Sequence, residues 1–237
     1  MNKRGGAIIF RRTGSSGQEP DPLGNAPDVG LLRSELLSSD QLKHHAVALA
    51  RSHSVDRRPG KDRLLLRLDE NERVLLEAYQ VVTAAAAAGQ RVMQAEAWLL
   101  DNYYLIEQQI ALARRHLPRG YSRELPRLVG GSSAGFPRIY ELALDLISHQ
   151  DGRIDRDNAA AFLAAYQTID PLNLGELWAF PIMLRLGLLE NIRRVASRIA
   201  RRREERDTAI AWADRILTAA GREPRRLVHR KRRGCGN

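Results

Sequence analysis

The sequence predicts an all-α fold: about six helices in an irregular antiparallel bundle, a long kinked C-terminal helix and disordered termini. Three observations carry that prediction. The chain is 43% hydrophobic but only 5% aromatic, so its core must come mostly from Leu, Ala, Ile and Val, a mixture that favours helix over strand. Apolar residues recur at spacings of three and four along several segments. Those segments are bounded by Gly, Pro, Asp and Asn, the residues that start and stop helices. No segment reads as a strand, and no repeat of fixed period is evident. A length of 237 residues suits one helical domain at 31–221 between ragged ends.

The elements follow in order. Residues 1–30 are rich in Gly, Pro, Ser and charge and read as a disordered leader. A first helix is expected from near Gly30 through Leu49, with Ser39 or Asp40 interrupting it or capping its second half. Arg57-Arg58-Pro59-Gly60 reads as a loop. Asp62 is placed to cap a second helix that ends in the alanine run at 84–88 before Gly89. A third helix is predicted from about Met93 to His116. Its apolar face is Leu99, Tyr103, Ile106, Ile110, Ala113 and Leu117. Pro118 and Gly120 stop it, and the stretch to Phe136 is irregular. Pro137 opens a fourth helix at its first position, running to about His149. Asp151-Gly152 turns the chain, and Asp155 or Asp157 caps a fifth helix through Thr168.

Asn173 followed by Glu176 is a capping-box variant that opens the longest helix. Leu177, Pro181, Leu184, Leu188, Ile192, Val195 and Ile199 form its expected apolar stripe, with a bend at Pro181. The charged run at 201–206 is read as continuing helically to Gly221, the expected stop.

The net charge of +10 is unevenly spread. Residues 222–237 carry +6 and residues 1–30 carry +1, which leaves +3 for the helical body. The basic character therefore belongs mainly to a tail, able to attract anionic lipid or nucleic acid non-specifically. No helix-turn-helix signature accompanies it. The single cysteine, Cys235, excludes an internal disulfide and a cysteine zinc site. No uninterrupted apolar run is long enough to span a bilayer.

Candidate chemistry is sparse. The glycine-rich run at 130–135 lacks the Lys-Ser/Thr ending and preceding strand of a phosphate loop, and reads as a flexible loop. His149, Asp151, Asp155 and Asp157 gather possible metal ligands but lack the calcium-loop pattern; turn and cap chemistry accounts for the aspartates. His44 and His45 are adjacent and face different ways. Glu141 and Asp145 share a helix face at i, i+4 and read, with Glu124, as surface charge. Trp98, Trp178 and Trp212 read as helix-packing anchors.

Four ordered blocks are more specific. They are Trp98-Leu99-Leu100-Asp101-Asn102 with the helix to Gln109; Leu117-Pro118-Arg119-Gly120-Tyr121-Ser122-Arg123-Glu124-Leu125-Pro126; Gly135-Phe136-Pro137-Arg138-Ile139-Tyr140; and Leu174-Gly175-Glu176-Leu177-Trp178-Ala179-Phe180-Pro181-Ile182, followed by Leu189-Glu190-Asn191-Ile192-Arg193-Arg194. From about Leu31 to Ala220 the chain resembles the N-terminal region of cyclic β-1,2-glucan synthases, large bacterial inner-membrane enzymes. The resemblance implies membership of an enzyme that uses UDP-glucose and a divalent metal to build a β-1,2-glucan on itself, then trims and cyclises it. The transferase, phosphorylase-like and membrane portions of such enzymes lie downstream of the resembling region, so no catalytic residue and no cofactor is placed on this chain. The resemblance implies a structural role on the cytoplasmic side, with the transferase and membrane portions as partners. Expressed alone, the chain is expected in the cytoplasm.

The motif residues Trp98, Asp101, Asn102, Arg119, Tyr121, Arg123, Glu124, Pro137, Arg138, Tyr140, Glu176, Trp178, Pro181, Glu190 and Asn191 are expected to maintain the fold or to dock. Arg119, Arg123 and Glu124 are placed to tie their loop to neighbouring helices, and Glu190 to pair with Arg194 at i, i+4. After Glu223 the sequence departs abruptly from the family's pattern, which suggests a truncated or frame-shifted reading frame. The rival reading is a free-standing basic helical module that binds nucleic acid or anionic membrane through its tail.

Overall fold

The computed structural model describes residues 34–222 of the chain. The leader at 1–30, and the tail beyond Arg222, lie outside the described residues. Within them stand six α-helices: α1 Ser39–Ser52, α2 Leu64–Ala87, α3 Gln94–His116, α4 Arg138–His149, α5 Arg156–Gln167 and α6 Leu174–Arg222. A minimal antiparallel ribbon pairs β1 Val55–Asp56 with β2 Arg127–Leu128.

The helix order matches the sequence pattern, and the local chemistry explains the ends. α1 begins at Ser39, not near Gly30. Ser38 and Gln41 form a capping box, and the amides of Ser34 and Leu37 are spent on the carbonyls of Ser148 and His149 at the end of α4. Asp62 does not cap α2. Arg63 takes the cap position without a side-chain bond, and the Asp62 carboxylate accepts from the Gly120 amide and the Ser122 hydroxyl. α2 stops at Gly89, whose φ of 70° suits glycine. Pro137 is the N-cap of α4, so Arg138 and not Pro137 occupies its first position. Asp155 caps α5 by accepting from the Asn158 amide at 3.0 Å.

α6 is the hub. It packs on α2, α4 and α3, while α1 packs on α5 and α2 on α3. The predicted face of α3 is buried in full, from Leu99 to Leu117. The predicted stripe of α6 is not its buried face. Pro181 and Val195 are exposed, and Leu177, Leu184, Leu188, Ile192 and Ile199 are only half-buried. The helix instead turns Ala179, Phe180, Met183, Leu186, Leu189, Ala196 and Ala200 inward, with Glu190, Arg193 and Arg203 among them. Apolar period alone misses that face because charged residues interrupt it. α6 runs through Pro181, which leaves the Leu177 carbonyl without its helical donor, and passes Gly221 to Arg222.

The ribbon was not legible as a strand pattern. Two residues per strand are too few to show alternation. Its pairing places the glycine-rich loop, closed by a bond from the Gly135 amide to the Leu128 carbonyl at 2.8 Å, beside the end of α1.

Candidate functional site

Three of the motif residues, Arg138, Glu176 and Glu190, sit in two buried ionic clusters that lock α6 to the body, and a third cluster lies at the turn between α2 and α3. The first is centred on Arg138, only 1% exposed. Its position at the start of α4 aims the guanidinium at the start of α6. Nε and Nη2 donate to the two oxygens of Glu176 at 2.6 and 2.9 Å. Nη1 donates to Asp170, and Nη2 also reaches the Pro171 carbonyl at 2.8 Å. Glu176 simultaneously accepts from the Asn173 amide at 2.9 Å, while Asn173 accepts from the Glu176 amide at 2.8 Å. The expected capping box is therefore formed, and its carboxylate also neutralises the buried arginine. The Tyr166 ring lies under the same guanidinium, 5.8 Å away. The Tyr166 hydroxyl meets His53 Nδ1 at 2.9 Å.

The second cluster is centred on Glu190, also 1% exposed. Arg67 of α2 donates to both its oxygens, at 3.0 and 2.7 Å. Arg193 and Arg194 donate to Oε1 at 2.9 and 3.0 Å, which gives the expected i, i+4 pair and more. Burial pushes the Glu190 carboxyl up, but the hydrogen bond from Arg193 and the charge of Arg67 outweigh it and hold the group at about 2. A carboxylate held that low is a poor proton acceptor near neutrality and a strong anchor for guanidinium groups. Tyr140 is buried beside this cluster, and burial raises its phenol above the ordinary range.

In the third cluster Arg203, 2% exposed, donates to Glu96 at 3.2 Å, to the Arg91 carbonyl at 3.0 Å and to Gln90. Arg206 donates to the other oxygen of Glu96 at 2.7 Å. Burial raises the Glu96 carboxyl, and the Met93 amide with Arg206 and Arg203 more than reverses that.

The remaining motif residues lie outside these clusters. Tyr121 donates to the Gly175 carbonyl at 3.0 Å, and so ties the 117–126 loop to α6. Arg123 donates to the Gly60 carbonyl at 3.2 Å, which joins that loop to the α1–α2 connection and not to a helix. Arg119, Glu124 and Asp101 are exposed. Asn102 bonds within α3 to the Trp98 carbonyl. Asn191 buries its Oδ1 without a hydrogen-bond partner among the described residues.

The three tryptophans are not packing anchors. Trp98, Trp178 and Trp212 are 48%, 73% and 59% exposed. Trp98 borders a shallow groove of about 100 Å³ with Ile192, Val195 and Ile199 of α6.

Glu141 and Asp145 are not surface charge either. Glu141 accepts from the Ser133 hydroxyl, and burial raises its carboxyl. It lines a cleft of about 360 Å³ with His53, Ser54, Gly130 and Gly131. Asp145 faces His45 and His149. His149 thus joins these two residues, while Asp155 caps α5 and Asp157 stays exposed.

Sequence reasoning did not find Arg67, Asp170 or Arg203 as cluster members. Arg67 lies 123 residues from Glu190, and no local spacing links them. Glu96 had a signal, since it stands three residues after Met93 at a predicted helix start.

No family model matches the chain. Over 188 residues, 78% of its length, it is 35% identical to the cyclic beta-(1,2)-glucan synthase NdvB of Rhizobium meliloti (strain 1021). The chain spans 7% of that protein's length. It is therefore related to a segment of a cyclic β-1,2-glucan synthase, as the four sequence blocks indicated. No helix of the described residues is long and apolar enough to cross a membrane.

Proposed function

We propose that the chain is a non-catalytic helical module of a cyclic β-1,2-glucan synthase, docking on the transferase and membrane portions of such an enzyme from the cytoplasmic side. In this reading glucosyl transfer from UDP-glucose belongs to those other portions. The arginine-bound carboxylates Glu176, Glu190 and Glu96 are a poor fit to the divalent ion of a nucleotide sugar, because each is already neutralised by guanidinium groups.

The observation that carries the docking role is the end of α6. Arg203 is the last buried residue among those described, and every residue from 208 to 219 is exposed. That segment extends about 18 Å at the helical rise per residue. Ile210, Trp212, Ile216 and Leu217 are all more than half exposed. Together with Ala209 and Ala213 they fill an arc of about 160° at 100° per residue, and Thr208, Asp214, Arg215 and Thr218 fill the opposite side. A helix end with an apolar face and no neighbour among the described residues is suited to a partner surface. The related synthase is many times longer than this chain, which supplies such a surface.

Binding of the chain to a detergent-solubilised transferase and membrane portion of a synthase tests this. The parent chain should be captured. A variant carrying Ile210→Glu, Ile216→Glu and Leu217→Glu should keep its helicity and lose at least about tenfold in affinity, since each buried apolar side chain contributes about 1.5–3 kcal/mol. Equal capture of the two chains, or no capture of the parent, refutes the reading. Dimers of the parent in sedimentation that the variant abolishes, without synthase binding, would make a second copy the occupant and also refute it.

A further inference from the structure

We propose that His45, Asp145 and His149 form a binding site for a divalent transition-metal ion of the zinc class, joining α1 to α4. Asp145 and His149 stand one turn apart on α4, so both side chains leave the same face. His45 comes from α1 across the gap. Its Nε2 lies 2.9 and 3.1 Å from the two oxygens of Asp145. His149 Nε2 lies 3.8 Å from Asp145 Oδ1. The imidazole centroids are 4.5 Å apart and inclined at 61°. One nitrogen from each histidine and one carboxylate oxygen all fall within 4.8 Å of one another.

The orientation of His149 separates this cluster from an ordinary ion pair. Its Nδ1 sits 2.7 Å from the Glu35 carbonyl. A carbonyl only accepts, so Nδ1 carries the proton. The ring thereby turns its second nitrogen, Nε2, toward the Asp145 carboxylate; in the neutral tautomer these are acceptor against acceptor. A cation between them relieves that opposition. Metal-bound histidines characteristically donate their second nitrogen to a carbonyl or carboxylate in this way.

The dimensions agree. Bonds of about 2.0–2.2 Å in tetrahedral geometry require donor atoms about 3.3–3.6 Å apart, and the His45–Asp145 and His149–Asp145 separations, 2.9 and 3.8 Å, lie on either side of that range. Two imidazoles with one carboxylate suit zinc, cobalt or nickel and not calcium or magnesium. The His45 side chain is one-third exposed, so water reaches a fourth position. α1 packs mainly on α5, and a bound ion would reinforce the His45–Asp145 link from α1 to α4.

The test uses the untagged full chain after treatment with a chelator. Cobalt(II) titration followed by visible absorption should show one equivalent taken up with a tetrahedral spectrum. Zinc should displace it and raise the melting temperature. His149→Ala and His45→Ala should weaken cobalt binding on the order of 100-fold or more. His44→Ala, on the same helix but bonded to the Asp40 carbonyl, should leave it unchanged, as should Cys235→Ser. Because the parent titration needs no variant, misfolding of an alanine variant does not spoil the test. Absence of stoichiometric uptake by the parent overturns the proposal. So does uptake that survives His149→Ala, or a parent whose His149 is doubly protonated at neutral pH by NMR and whose melting ignores zinc.

Discussion

Replacing Glu190 with Gln removes one charge from the centre of the fold and keeps the size of the side chain. Three arginines, Arg67, Arg193 and Arg194, then share a neutral acceptor. In the folded protein the carboxyl is held at about 2 against an ordinary 4.5, a gap that corresponds to about 3 kcal/mol. Breaking a buried ion pair from one side costs about 3–5 kcal/mol, so both routes predict a loss of about 3 kcal/mol at neutral pH. The pH dependence is more discriminating. A depressed carboxyl contributes its full stabilisation above its ordinary pKa and loses it as pH falls towards the folded value. The difference between parent and variant should therefore hold above pH 4.5, shrink as pH falls to about 2, and vanish below. Glu96 is also held low, but its arginine partners lie about 20 Å further along α6, and its contribution is common to both proteins. Urea denaturation followed by circular dichroism across this pH range measures the difference. A gap that stays constant with pH, or one below about 1 kcal/mol at neutrality, refutes the assignment of Glu190 as an ionised anchor.

Three further substitutions probe the same frame. Arg138→Leu strands Glu176, which is fully buried, and should cost about 3–5 kcal/mol in urea denaturation; adding Glu176→Gln should recover part of that loss. Gly187→Ala brings a Cβ within 2.6 Å of Ile147 Cδ1 and 3.3 Å of Leu144 Cδ2; the overpacking should outweigh the gain in helix propensity and lower stability by about 1 kcal/mol, and a higher melting temperature would contradict the close α4–α6 contact. Trp178→Ala removes a side chain that is 73% exposed and should change stability by no more than about 0.5 kcal/mol; a larger loss in thermal melting would show that this tryptophan packs after all.

The helices were legible because their signals are local. The face of α3, the Asp155 cap of α5 and the Asn173–Glu176 box at α6 each involve residues within a few positions of one another, and all three are formed. The failures are of a different kind. Asp62 has the right chemistry and position for a cap, yet it satisfies the Gly120 amide and the Ser122 hydroxyl, donors nearly 60 residues away. The β1–β2 ribbon closes a separation of more than 70 residues with two residues per strand. Local propensity cannot rank such long-range uses of a side chain against the nearby one.

The α6 stripe shows why the most consequential residues were the hardest to assign. A stripe search rewards apolar residues at helical spacing, and α6 has two such sets. One is Leu177, Leu184, Leu188, Ile192 and Ile199; the other is Ala179, Met183, Leu186, Leu189, Ala196 and Ala200. The second is the face that packs inward, but it shares that surface with Glu190, Arg193 and Arg203. Those charges count against it in any measure of hydrophobicity. They are tolerated there because Arg67 and Glu96 arrive from other helices to neutralise them, information that exists only once the chain has folded. The motif blocks did flag Glu176, Glu190 and Arg138 without any such information. Removing one partner of such a buried pair costs far more than exchanging the apolar residues around it for one another.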